Sequence, residues 1–333
     1  VRLVVADLLT NLRLGEWRTS SLKWELERDR PGTITGSVID PAPATLVNRP
    51  TAIYCVYPNG TIPWGGICWG IKPTAYGSNE WKLEGAGFTS LLDFRIIRDT
   101  IRYQQADQAA IVLDLLARAQ LGTNAALGWA FDVPTTGIKR DENIKGEERK
   151  SVLKYLTDWC DNINGYDFRV EVSGNYERTF RLLYPRDSRH LRTVHSRPGV
   201  TVTKWEDDLS WVANNFDGTG SDGLAWTLMT EPQTNWPRLD TTYDADSASY
   251  APTLVSKVRR FAELHRTPLV EAEVTVTNGT SGVDWIGDDI RLIDTEVSGR
   301  DEVFQLIGID GYWNGAVPTE VWKLEQTLRQ EDV

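Results

Sequence analysis

Carboxylates are the most abundant catalytic groups in this chain. Glu206, Asp207 and Asp208 lie together, as do Asp288 and Asp289. A glycosidase places two carboxyl groups roughly 5 to 10 Å apart across a cleft, one to protonate the leaving oxygen and one to act as nucleophile or base. Adjacent acids also make ordinary solvated turns, because aspartate supports turn geometry and stays in water. Gly287-Asp288-Asp289 directly precedes the apolar alternation of Ile290-Arg291-Leu292, and Glu206-Asp207-Asp208 sits in a similar place, so both groups are expected to be turns rather than catalytic pairs.

The other chemical motifs are weaker. Gly218-Thr219-Gly220-Ser221-Asp222-Gly223 matches GxGxxG, with Asp240 near the distance of a ribose-binding acid. A dinucleotide site needs a long helix after the glycines to hold the pyrophosphate at its N-terminus. Glu231-Pro232 follows too soon for that helix, so the stretch is expected to be a loop between strands. His190, His195 and His265 have neither HxH nor HExxH spacing, and Cys55, Cys68 and Cys160 form no CxxC pair. No GxSxG elbow is present. No metal, cofactor or catalytic residue is expected, and the cysteines read as buried thiols. Asn59-Gly60-Thr61 and Asn278-Gly279-Thr280 match glycosylation acceptors that a chain made in a reducing compartment would leave unused.

Composition narrows the classes further. At 333 residues the chain is long enough for two or three domains. No run of about 18 apolar residues suggests a membrane span. The net charge of −11 argues against a surface built to hold nucleic acid, which needs clustered lysine and arginine. Fourteen tryptophans against one methionine suit half-buried strands, and also sugar stacking or protein anchoring.

The elements follow from periodicity. Leu22, Trp24 and Leu26 alternate with charged residues, as do Ile34, Gly36 and Val38, and Ile53, Cys55 and Tyr57. From Ile62 to Arg98 the pattern is a hairpin. Ile67, Trp69 and Ile71 share one parity and Ile62 and Trp64 the other, which puts a β-bulge at Gly65-Gly66. Trp81 and Leu83 alternate on the return. Trp64, Gly65, Gly66, Trp69 and Trp81 are therefore the candidate structural residues of this hairpin. A helix is expected over 106–120, followed by a Gly, Pro and Thr-rich loop and a charged run from Lys139 to Lys150. A second helix, from Val152 to Ile163, precedes a hairpin through Tyr166–Val172 and Phe180–Tyr184. Strands resume at Gly199, with one helix near 252–266 and strands at 269–277, 289–293, 302–309 and 319–325. The fold class is mainly β: a first β domain over 1–98, a smaller α+β module over 99–198 and a second β domain over 199–333.

A tryptophan strand entered through Pro63-Trp64-Gly65-Gly66, returned through Trp81-Lys82-Leu83-Glu84-Gly85-Ala86-Gly87-Phe88 and closed by Ser90-Leu91-Leu92-Asp93-Phe94-Arg95 resembles the minor tail proteins of long-tailed actinobacterial phages. Trp17, Ser20 to Glu25, Pro31 to Ile34, Gly165 to Val170 and Leu183 to Arg186 extend the resemblance. It implies two tail-tube-like β-barrels and a non-enzymatic role as the central hub of a siphophage tail tip. In such a hub a homotrimer forms a pseudo-sixfold ring under the tail tube. The implied partners are a distal tail protein above, fibre or spike proteins outside, and tape-measure protein and DNA in the lumen. The implied location is the virion tail tip, after synthesis in the host cytoplasm. Since Val333 follows soon after the second β domain, host recognition is expected to lie on other chains. The competing expectations are a carbohydrate-binding or glycan-cleaving β protein and a generic adhesion module.

Overall fold

Six amphipathic strands of the N-terminal region close on themselves. They are β1 (Arg2–Asp7), β2 (Arg13–Glu27), β3 (Thr33–Ile39), β4 (Thr51–Val56), β5 (Trp64–Pro73) and β6 (Glu80–Gly87). The computed structural model describes residues 1–41, 49–160, 164–184, 190–229, 237–245, 251–266, 269–277, 286–294, 299–315 and 317–326. The strands pair in the order β1-β4-β5-β6-β3-β2, and β2 returns to β1 to complete the barrel. Leu3, Val5, Trp17, Trp24, Ile34 and Ile53 fill its interior. β4 is buried at every position, because Ile53 and Cys55 face the barrel interior while Ala52, Tyr54 and Val56 are covered from outside.

The cover is the α+β module. It comprises β7 (Ile101–Asp107), α1 (Gln108–Arg118), β8 (Ala130–Asp132), β9 (Lys139–Ile144), α2 (Val152–Cys160), β10 (Asp167–Val172) and β11 (Arg178–Leu183). Both helices bury one stripe, Ile111, Val112, Leu115 and Leu116 on α1 and Val152, Tyr155, Leu156 and Trp159 on α2. Asp107 caps α1 by accepting from Ala109 N at 2.9 Å. The charged run from Lys139 begins as β9, paired with β7. Ile163 lies outside the described residues.

The second barrel uses β12 (Leu191–His195) and β13 (Val200–Asp208) before an excursion through β14 (Asn215–Gly220), β15 (Ala225–Met229), β16 (Asp240–Ala245) and α3 (Ala251–His265). It resumes with β17 (Leu269–Thr277), β18 (Asp289–Asp294), β19 (Arg300–Trp313) and β20 (Thr319–Glu325). The pairing order is β12-β18-β19-β20-β17-β13. β12, which falls within 99–198, runs parallel to β18 and so belongs to this sheet. Asp208 and Leu269 are direct partners, so the β14–α3 unit is an insertion in the β13–β17 connection. It has its own core of Phe216, Leu254, Val258 and Ala262.

The hairpin expectation needs one correction. Trp64, Gly65, Gly66, Ile67 and Cys68 pair with β4 without interruption, and the register shifts between Cys68 and Gly70. The bulged residue is therefore Trp69. Neither Gly65 nor Gly66 has positive φ, so backbone freedom is not what selects glycine there. Close packing is: a Cβ on Gly65 would lie 2.7 Å from Val172 Cγ2, and one on Gly66 would lie 2.4 Å from the Trp64 indole and 2.3 Å from Ala86 O. Ile67 consequently faces the module, while Ile71, beyond the bulge, faces the barrel interior.

Candidate functional site

The two barrels are joined by hydrogen bonds. β2 and β19 pair from Glu27–Gly308 to Leu22–Trp313, so strands of both barrels form one 12-stranded sheet. Packing across this seam is tight. Trp24 is 1% exposed and lies over Gly311, where an added Cβ would sit 1.9 Å from the indole. On the outer side Lys323 Nζ is 3.0 Å from both Glu25 Oε1 and Asp310 Oδ1, tying β20 to β2 and β19. Burial pulls the Lys323 ammonium down, but its bonds to Asp310 and Glu25 outweigh that and hold its pKa above the ordinary value. Beneath the sheet, Glu320 is 1% exposed and accepts from Tyr57 Oη and Trp322 Nε1, both at 3.1 Å. Burial first, and then the Glu320 charge, push the Tyr57 phenol well above its usual range.

The outer face of this sheet is acidic. Glu206, Glu271 and Glu325 stand directly opposite one another on β13, β17 and β20, and Glu25, Glu27, Glu273 and Asp310 share the same side. Against these seven carboxylates stand Lys23, Lys204 and Lys323 of the same strands and the guanidinium of Arg28, one residue past β2, which bonds Gln305 and acts on Glu325. Lys204 bridges Glu206 at 2.7 Å and Glu271 at 2.9 Å. Burial, reinforced by neighbouring Glu271 and eased by Arg28, raises the Glu325 pKa.

Two pins hold the module to the first barrel. Arg178 is 2% exposed, donating from Nε to Tyr54 Oη at 2.8 Å, from Nη1 to Leu8 O at 2.8 Å and from Nη2 to Asn11 Oδ1 at 2.7 Å. Its guanidinium lies 4.5 Å from the centre of the Phe88 ring. Asp29, at φ 59°, accepts from Phe168 N at 2.7 Å. A cavity of about 80 Å³ lies where the barrels and module meet, between Trp64, Phe88, Phe168 and Ile286. Nothing in the sequence singled out Arg178, Asp29 or Lys323, since each occupies a polar position of an ordinary strand or turn.

The expected hairpin residues divide. Trp64 is 1% exposed inside the first barrel and donates from Nε1 to Glu25 O at 3.3 Å. Trp81 packs half-buried against the same core. Trp69 is 37% exposed outside it, 4.9 Å from the Phe94 ring and hydrogen-bonded to Ser90 Oγ.

The candidate chemical groups do not converge on a reaction centre. Asp207 faces Arg300 at 3.2 Å, Asp208 caps a short turn by accepting from Ser210 N, and Asp288 faces Arg192 at 3.0 Å. Glu206, Asp207 and Asp208 end strand β13 rather than forming a turn. The GxGxxG stretch is the β14–β15 hairpin, and strand β15 rather than a helix follows its last glycine. The His265 and Phe261 rings lie 4.1 Å apart at a tilt, while His190 precedes β12 and His195 ends it. Among the described residues no three His, Cys, Asp or Glu side chains are grouped to hold a metal, and no helix is long and apolar enough to cross a membrane. All three cysteines are buried, which pushes the Cys55 thiol up to about 12 and the Cys68 thiol to about 11.

This mainly β architecture with a closed six-stranded barrel is similar to that of phage tail-tip and baseplate proteins. The 43 kDa tail protein of prophage MuSo2 from Shewanella oneidensis superposes with a TM-score of 0.68 at 12% identity, over 98% of each chain. The tail protein from Neisseria meningitidis MC58 gives 0.64 at 15% identity, over 97% of this chain and 96% of that one. The c3393 protein of E. coli, a type VI secretion component similar to the T4 tail proteins gp27 and gp5, gives 0.58 at 12% identity, over 94% of this chain and 74% of its own. At these identities the likeness is one of fold. No protein-family model matches the sequence, and no curated protein does.

Proposed function

We propose that this chain is a structural, non-enzymatic component of a phage tail tip, and more specifically the central hub that joins tail tube to baseplate. The observation that carries the reading is the β2–β19 seam, which gives one chain two barrels side by side in a single sheet. Three such chains would supply six barrels, the number a sixfold tube requires below it. The acidic outer face of the shared sheet is then the lumen wall. Seven carboxylates against Lys23, Lys204, Lys323 and Arg28 leave this face net negative, so it repels a passing polyanion over a Debye length of about 8 Å at physiological salt, where an excess of fixed cations would capture it. Tape-measure protein and DNA pass through this channel. A distal tail protein docks above, and fibre or spike proteins dock outside.

The 1–98 and 199–333 regions are the two wall units in this reading, the second completed by β12, with the rest of 99–198 as outer decoration. Trp64, Gly65, Gly66 and Trp81 set the first wall by close packing, and Trp69 stands at the bulge on its outside. Electron microscopy of particles carrying a gold-labelled tag on this chain tests the reading: label confined to the tail end opposite the head supports it, and label along the tube or absent from particles refutes it. The second reading, a glycan-binding β protein, rests on the exposed Trp69–Phe94 pair, and retention of the chain on purified cell-wall glycan, lost in Trp69→Ala, would favour it.

A further inference from the structure

The β14–α3 insertion has one face too many. Phe216, Trp226, Leu228 and Tyr243 pack on Leu254, Val258 and Phe261 of α3, and Gly218 has no side chain because a Cβ there would meet Val258 Cγ2 at 2.0 Å. Alternation then sends Asn215, Asp217 and Thr219 of β14 to the opposite side, beside Thr227 of β15. Their parallel partners Asp240, Thr242 and Asp244 on β16 share that side and are exposed. No large aliphatic or aromatic side chain stands on this face among the residues of the three strands, apart from Met229 at its edge. Among the described residues the cation paired with these three carboxylates is Arg238, 2.7 Å from Asp240.

A second observation points to a missing donor. Asn215 is 2% exposed and gives its Nδ2 hydrogen to Asp240 Oδ1 at 2.5 Å, while its buried Oδ1 has no hydrogen-bond partner. A buried acceptor without a donor costs stability unless a group arrives to satisfy it. The missing group is an N–H donor that also tolerates carboxylate neighbours, which describes a guanidinium with its fork of donors. Asp240, Thr242 and Asp244 repeat at about 7 Å along the strand, the same step that separates alternate side chains of an extended peptide.

We propose that this sheet face is a docking surface for an extended, arginine-bearing segment of a protein partner, laid along β14 and β16. The segment places guanidinium groups against Asp240 with Asn215, against Asp217 and against Asp244. The interaction is independent of the hub reading, because the insertion is a self-contained excursion from the β13–β17 connection.

The test uses the full chain and a fluorescent eight-residue peptide of alternating arginine and threonine, read by anisotropy at low salt. The variant Asp217→Asn/Asp240→Asn/Asp244→Asn is expected to weaken binding about tenfold, the combined worth of three surface charge pairs. Neutralising three exposed acids elsewhere, Glu147→Gln/Glu148→Gln/Glu177→Gln, is expected to change it less than about twofold. Circular dichroism melting verifies folding, and if the triple variant unfolds, the exposed single change Asp244→Asn replaces it with an expected loss of about twofold. Equal weakening by both triple variants, displacement by spermine at matched charge concentration, or no binding at all would overturn the proposal.

Discussion

Replacing Arg178 with methionine should loosen the module from the first barrel. The guanidinium is buried at 2% exposure, and its three bonds reach the β1–β2 turn through Leu8 and Asn11 and the barrel wall through Tyr54. Methionine keeps the packing on Phe88 and removes every donor. Hydrogen bonds to a charged group contribute about 1.5 to 3 kcal/mol each, and some loss is recovered because Tyr54 Oη still donates to Asn11 Oδ1, so the expected net cost is about 3 to 5 kcal/mol. That is a large part of a typical domain stability of about 5 to 15 kcal/mol. Urea unfolding by circular dichroism measures the loss, and limited proteolysis should show cleavage within 99–184 before the barrels yield. Lysine, a point donor, should recover less than half. A change below about 1 kcal/mol with unchanged proteolysis would refute the pin.

Further outcomes follow from the packing and charge. Gly66→Val should cost about 1 to 3 kcal/mol or more by overpacking Trp64, with no dependence on bulge geometry, and an unchanged melting temperature would contradict the crowding. Gly311→Val should be at least as damaging, because its Cβ lands on the Trp24 indole at the seam. Burial pushes the Asp107 pKa up, but hydrogen bonds from Ala109, Thr136 and Gly137 outweigh it and leave the folded value depressed. Its stabilisation is therefore present above the unfolded carboxylate pKa and lost as pH falls through the folded one. Asp107→Ala should cost about 1 kcal/mol at pH 7, and the gap to wild type should narrow below about pH 4 in urea titrations. Glu325 has the opposite sign: its folded pKa is raised, so its contribution is full below the unfolded pKa and lost as pH rises through the folded one. Glu325→Gln should then raise the melting temperature at pH 7 and leave it unchanged near pH 3; destabilisation at pH 7 would show that the ionised carboxylate is needed.

Much of the strand pattern was legible in the sequence, because half-buried strands declare their inner face by alternation. β17 and β20 coincide with their expected spans, 269–277 and 319–325, and the helix near 252–266 is α3. Local pattern failed where tertiary packing decides. The parity of Trp64 and Ile67 pointed to a slip at the glycines, yet both residues are buried on opposite faces of an uninterrupted pairing, and the slip comes later at an exposed tryptophan. β7, reading Ile-Arg-Tyr-Gln-Gln-Ala-Asp, is half-exposed and interrupted between Tyr103 and Ala106, so it carried little strand signal. The seam was invisible for a different reason. Lys323 and Glu25 are 298 residues apart, and nothing in two ordinary amphipathic strands says that they are neighbours. Arg178 likewise looked like any polar residue of a hairpin, since burial is set by the barrel it meets.

In the proposed tail-tip ring this chain supplies two adjacent wall segments. Cryo-electron microscopy of the purified chain, assembled with its tail tube or alone at high concentration, tests it most directly. The expected structure is a threefold ring of six barrels, with Glu206, Glu271, Glu273 and Glu325 facing the channel and Arg259 and Arg260 outside it. A chain that stays monomeric under all conditions, or a ring whose channel is lined by Lys139, Lys145, Arg259 and Arg260 with few carboxylates, would contradict it.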